Sequence, residues 1–163
     1  MSETERRLIN PASAPQPIGA YSLAAEASGG KLLFLAGQVA MDASGNVVGQ
    51  GDAASQTRQV FENLGRVLSG AGASFNNVVE FTTYVVGRSS VQPFIQARSE
   101  IFLKLFPNGD YPTNTLLIVD GLVREELLVE VKAVAVLPES LFTAETQRPP
   151  LKAKSPCPLC LCG

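Results

Sequence analysis

The chain has 163 residues, 45% hydrophobic and 17% charged, which is enough apolar material for one core of ordinary size plus tails. A formal charge of −2 and a pI near 5.2 argue against a nucleic-acid partner, because phosphate binding needs a surplus of Lys and Arg on one face. No apolar run approaches the roughly 20 residues that cross a bilayer, and the polar opening MSETERRLINPA lacks the apolar stretch of a secretory signal. No membrane partner is therefore expected, and the expected compartment is the cytosol.

In chain order, residues 1–8 are polar and read as a tail before a domain spanning 9–137. Ala20 to Ala27 is a strand candidate of weak pattern, with Gly29-Gly30 as the turn that follows. Lys31 to Val39 is a short apolar run interrupted by Gly37, consistent with a buried strand and a close backbone approach. Asp42 to Asn46 reads as a turn. From Asp52 to Gly72 the residues Val60, Phe61, Leu64, Val67, Leu68 and Ala71 keep helical spacing, with Asp52 or Ser55 as the cap. Asn77 to Val86 is rich in β-branched and aromatic residues and predicts a strand. Val91 to Phe106 returns to helix, capped by Ser89 or Ser90 and ended by Pro107. Thr113 to Val119 and Leu127 to Leu137 are the last two strands.

The order β-β-α-β-α-β-β predicts an α+β domain with both helices on one face of a mixed sheet. The last strand is apolar on both of its faces, so the face away from the helices needs a cover, and oligomerisation is the simplest one. Residues 138–163 are Pro-rich and read as an extension. Cys157, Cys160 and Cys162 all lie there. Cys157 and Cys160 have the spacing of a redox pair or half a zinc site, but the chain has no His, and no Cys outside these three, to complete one. These thiols are read as incidental, and neither metal nor cofactor is expected.

The same inventory excludes Ser-His-Asp and Cys-His catalysis. There is no GxGxxG after a strand and no P-loop. Any chemistry must use carboxylates, amides, hydroxyls, backbone groups and water.

Four segments then stand out together: Ile18-Gly19-Ala20-Tyr21-Ser22, Leu35-Ala36-Gly37-Gln38-Val39, Tyr111-Pro112-Thr113-Asn114, and Val129 to Val136 (VEVKAVAV). In this order and spacing, from about Asn10 to Pro138, they resemble the RidA/YjgF family. The resemblance implies a chorismate-mutase-like fold assembled as a homotrimeric barrel, with clefts between subunits. It also implies cofactor-free, water-dependent deamination of small enamines and imines. By position, Glu130 matches the family's acid/base, Tyr21 a cleft wall, and Gly37 a close backbone approach. Gln96 stands where many relatives have Asn, and Leu116 where many have Cys.

One position departs. The family pattern is Pro-x-Arg, whose guanidinium clamps the substrate carboxylate, and this chain has Pro112-Thr113-Asn114. Either another arginine substitutes, Arg124 being nearest in sequence and then Arg98, or the ligand is neutral there and Asn114 reads a carbonyl or amide. The second reading is preferred because a relocated clamp needs a second coincidence. Each residue also has a plain structural reading. Glu130 would be an interface carboxylate, Tyr21 packing, Gly37 a bulge, Asn114 a strand-start hydrogen bonder, and Arg124 a solvated ion pair beside Glu125 and Glu126. The expectation is a cofactor-free hydrolase acting on a small-molecule substrate, with a non-catalytic trimeric binding protein as the alternative.

Overall fold

The structure, a computed structural model, describes residues 5–138. Its elements are β1 (Glu5–Ile9), β2 (Ala24–Ser28), β3 (Gly30–Val39), α1 (Ala53–Gly70), β4 (Val78–Val86), α2 (Val91–Leu105), β5 (Thr113–Val119) and β6 (Val129–Pro138). β1 and β2 form a separate antiparallel pair, and the other strands form a sheet in the order β3-β6-β4-β5. Within that sheet β4 and β5 run parallel, while β6 is antiparallel to both of its neighbours. The architecture is α+β, two helices with a mixed sheet.

The helices form where the apolar spacing places them. In α1 the side chains of Val60, Phe61, Leu64 and Leu68 are buried, and Asp52 caps the first turn by accepting from the backbone N–H groups of Ala54 and Ser55. The expected cap of α2 differs. Ser90 occupies the N-cap position, but a 3-10 turn (Arg88–Ser90) runs directly into the helix and the Ser90 hydroxyl makes no capping bond. Phe61 from α1 and Phe102 from α2 meet edge-to-face, and both contact Phe81 of β4, so the two helices close one core against one face of the sheet.

The N-terminal region differs most from its reading. Residues 5–9, most of them in the segment set aside as a tail, form β1, and β1 rather than β3 is the partner of β2. The expected turn at Gly29-Gly30 exists, with Gly29 at φ 73°, but it carries the chain from one sheet into the other. Polar anchoring explains why hydropathy missed it. Arg6 donates through Nη1 to the Val78 carbonyl at 2.6 Å and through Nη2 to the Asp110 carbonyl at 3.1 Å, and Arg7 pairs with Glu26.

Alternation along the strands sorts the two faces of the larger sheet. Val129, Val131, Ala133 and Ala135 of β6 enter the core, with Leu35 of β3 beside them. Glu130, Lys132 and Val134 project from the opposite face. There Phe34 is 72% and Leu32 62% exposed, so among the described residues nothing covers this apolar surface. No helix of the described residues is long and apolar enough to cross a membrane. The Pro-rich extension and its cysteines lie outside the described residues.

Candidate functional site

Glu130 is the second residue of β6, opposite Val39 of β3 and Tyr84 of β4. Its backbone is fixed on both sides, so its side chain leaves the sheet in a defined direction, toward the uncovered face. Next to it β3 is irregular. Leu35 opposes Ala133 but Gln38 opposes Val131, so β3 carries an extra residue at Ala36-Gly37. That bulge brings the Gly37 backbone against the Glu130 carboxylate. A Cβ on Gly37 would stand 1.8 Å from Glu130 Oε1, inside the carboxylate itself. Gly37 is therefore both the bulge and the close approach that its sequence context suggested.

The half-buried Glu130 makes no side-chain hydrogen bond or ion pair among the described residues. An ionised carboxylate in that setting keeps its lone pairs available to water or ligand. An open cleft of about 410 Å³ lies on the other side of Gly37, between Gln38 and Val39 of β3 and Asn63 and Arg66 of α1. Asn63 shapes it by donating to the Val39 and Met41 carbonyls.

Asn114 is elsewhere. It opposes Phe81, a core residue, and its Oδ1 accepts from the Thr83 hydroxyl at 2.9 Å. Asn114 thus lies on the helix side of the sheet, opposite to the face that carries Glu130. Leu116 opposes Thr83 and packs against the core from the same side. Gln96 is exposed on α2. Arg124 is engaged with Glu126 Oε1 at 3.1 Å and with the Gly45 carbonyl at 3.4 Å, and the hydrogen bond from Arg124 is the main cause that lowers the Glu126 pKa. Its surface ion pair is the plain role foreseen for it.

Tyr21 is half-buried, and its hydroxyl accepts from the Ile18 backbone N–H at 3.4 Å. The loop that carries it is tied to the start of β5, since the Ser22 N–H donates to the Pro112 carbonyl at 3.2 Å. Beneath this loop lies Arg98 of α2, only 5% exposed. A Cβ on Gly19 would be 3.7 Å from Arg98 Nη2 and 3.9 Å from the Tyr21 ring. The sequence reading gave Arg98 only a secondary place. The available signal was its position between Phe94 and Phe102 on the apolar stripe of α2, where a charge has no reason to be unless something meets it.

The comparisons with known proteins agree with this framework. Residues 11–137 match the family model described as endoribonuclease L-PSP. A RutC family protein of Synechocystis is 35% identical over 133 residues, covering 81% of this chain and 97% of its own. The 2-iminobutanoate/2-iminopropanoate deaminase of Mus musculus is 32% identical over 136 residues, covering 83% and 95%. Among solved structures, a Rid-family protein of unknown function from Yersinia pestis superposes with a TM-score of 0.73 at 38% identity, covering 81% of this chain and 98% of that one. The chain belongs to the endoribonuclease L-PSP family, the RidA/YjgF or Rid group.

Proposed function

We propose that the protein is a cofactor-free deaminase of small imines and enamines, working in a cleft between neighbouring copies of the chain. The observation that carries this reading is the Glu130 carboxylate, seated against the bare backbone of Gly37 and without a partner or a cover among the described residues. The name of the mouse relative supports the reaction class.

The chemistry asks little of the protein. An imine carbon is already electrophilic, so the site must hold the substrate and position a water. Glu130 takes a proton from that water as its oxygen bonds to the carbon of the protonated imine and the C=N π pair moves to nitrogen, giving a neutral carbinolamine. It returns that proton to nitrogen, then takes the hydroxyl proton as the C=O bond forms and the C–N bond breaks, and passes it to the departing ammonia, so the products are a carbonyl compound and ammonium. A second copy of the chain supplies the opposite wall, because Glu130 and Asn114 leave opposite faces of one sheet. The exposed Leu32 and Phe34, which oppose Val136 and Val134 on the same sheet face as Glu130, fit a homotrimeric interface. Asn114 is neutral and its oxygen is used by Thr83, so a substrate carboxylate gains no ion pair there. The substrate is bound differently from that of relatives with arginine at this position.

The test is Glu130→Gln, assayed on imines generated in place by an amino-acid oxidase, with ammonia release as the readout. Turnover should fall by about 100-fold or more, with the oligomer unchanged by sedimentation. Wild-type turnover in the variant rejects the assignment. Thermal stabilisation by ligand with no product formed points instead to a non-catalytic binding protein.

A further inference from the structure

The structure assigns a second role to the loop over α2: we propose that Arg98, walled by Gly19 and Tyr21, binds the carboxylate of the small substrate. This rests on the deaminase reading only for the identity of the ligand; the anion site has its own grounds.

The first ground is the state of the guanidinium. Arg98 is 5% exposed, and its Nε is buried without an acceptor. No hydrogen bond or ion pair to it exists among the described residues. Among the other described arginines, only Arg88 also lacks an acceptor, and it is exposed to water. Arg7, Arg58, Arg66 and Arg124 face carboxylates, and Arg6 donates to two carbonyls. Burying a charge without a counter-charge is strongly unfavourable, and a fold retains such a group where its partner arrives from outside.

The second ground is how Arg98 is held. Its guanidinium carbon lies 5.5 Å from the Phe94 ring centroid and 5.3 Å from that of Phe102. These rings brace the cation without using its N–H donors. Desolvation lowers its pKa from the ordinary arginine value, yet a guanidinium stays protonated at neutral pH.

The third ground is the direction it faces. Nη2 faces the loop at Gly19, where there is no side chain, and both Nη2 and the Tyr21 ring lie within 3.9 Å of where a Cβ on Gly19 would stand. Ile18, next in the loop, is 98% exposed among the described residues. A single planar fork suits one carboxylate in bidentate contact, whereas a phosphate dianion calls for further cations. The missing arginine at position 114 and the unpartnered one at position 98 are then one rearrangement.

The experiment uses the full chain and titrates pyruvate and 2-oxobutanoate against their neutral amides, by calorimetry and thermal shift. On the wild type each acid should bind roughly 30-fold or more tightly than its amide, the selectivity expected of one charge-assisted fork. Arg98→Met should lose that preference while keeping its oligomeric state, and its melting temperature without ligand should not fall, because a buried unpaired charge has been removed. Acid and amide binding alike to the wild type overturns the site even if Arg98→Met does not fold. So does an Arg98→Met protein with undiminished acid preference, or one whose assembly dissociates, since a neighbouring copy's carboxylate would then be the true partner. If Arg98→Met keeps the acid preference while Glu130→Gln loses turnover, the anion site fails and the deaminase reading survives. The reverse pattern leaves the anion site standing and removes the deaminase reading.

Discussion

Gly37 and Glu130 depend on each other at the level of single atoms. The carboxylate occupies the volume that any side chain on residue 37 would fill. Gly37→Ala should therefore displace the Glu130 oxygens by about an ångström and reduce kcat by about 100-fold. The overpacking strain should remain within about 1–3 kcal/mol, so the melting curve stays cooperative. Steady-state kinetics beside a thermal melt would separate the two effects, and equal losses of stability and turnover would count against the positioning role. These two residues were legible as family positions, but that their strands are neighbours and meet at a bulge comes only from the structure. Arg98 was less so. Sequence spacing shows that it lies on the apolar stripe of α2, but only coordinates show that no acceptor meets it.

The element most clearly written in the sequence is α1, and its cap gives a test with a definite sign. Asp52 accepts from the Ser55 hydroxyl at 2.6 Å and from the backbone N–H groups of Ala54 and Ser55. The Ser55 hydroxyl contributes most to holding the Asp52 pKa below the ordinary aspartate range. A carboxyl group depressed in the folded state adds stability above its unfolded pKa and loses it as pH falls through the folded one. Asp52→Ala should therefore melt lower near neutral pH, and its deficit should shrink in acid. Melts from pH 7 down to pH 2 would show this, and a deficit constant across the range would mean that the charge is irrelevant. Asp42, depressed mainly by the Asn46 backbone N–H, keeps its own acid-side contribution in the variant. By contrast β1 was hidden, because its anchors are guanidinium bonds to distant carbonyls, which leave no trace in hydropathy.

For the whole molecule, the uncovered sheet face is the feature that a single chain leaves unresolved. Leu32 and Phe34 stand in water beside Glu130's strand. If copies of the chain meet there, Phe34→Lys should yield monomers in sedimentation velocity at micromolar concentration, with ammonia release lost at the same time. An unaltered assembly would place the interface elsewhere. Sequence arguments pointed here because the last strand read as apolar on both faces; in the structure Glu130 and Lys132 stand with Val134 on its far face, and the exposed apolar surface there comes from Leu32 and Phe34 of β3, while the partner's side of the contact is not encoded in any local pattern. Arg6 adds a consequence in time. Its two carbonyl acceptors lie 72 and 104 positions downstream, so during synthesis the opening strand emerges long before either exists. Contacts of such sequence separation form late, so β1 would be among the last segments to dock, completing the fold only once the chain has been extended past β4 and the turn at Asp110.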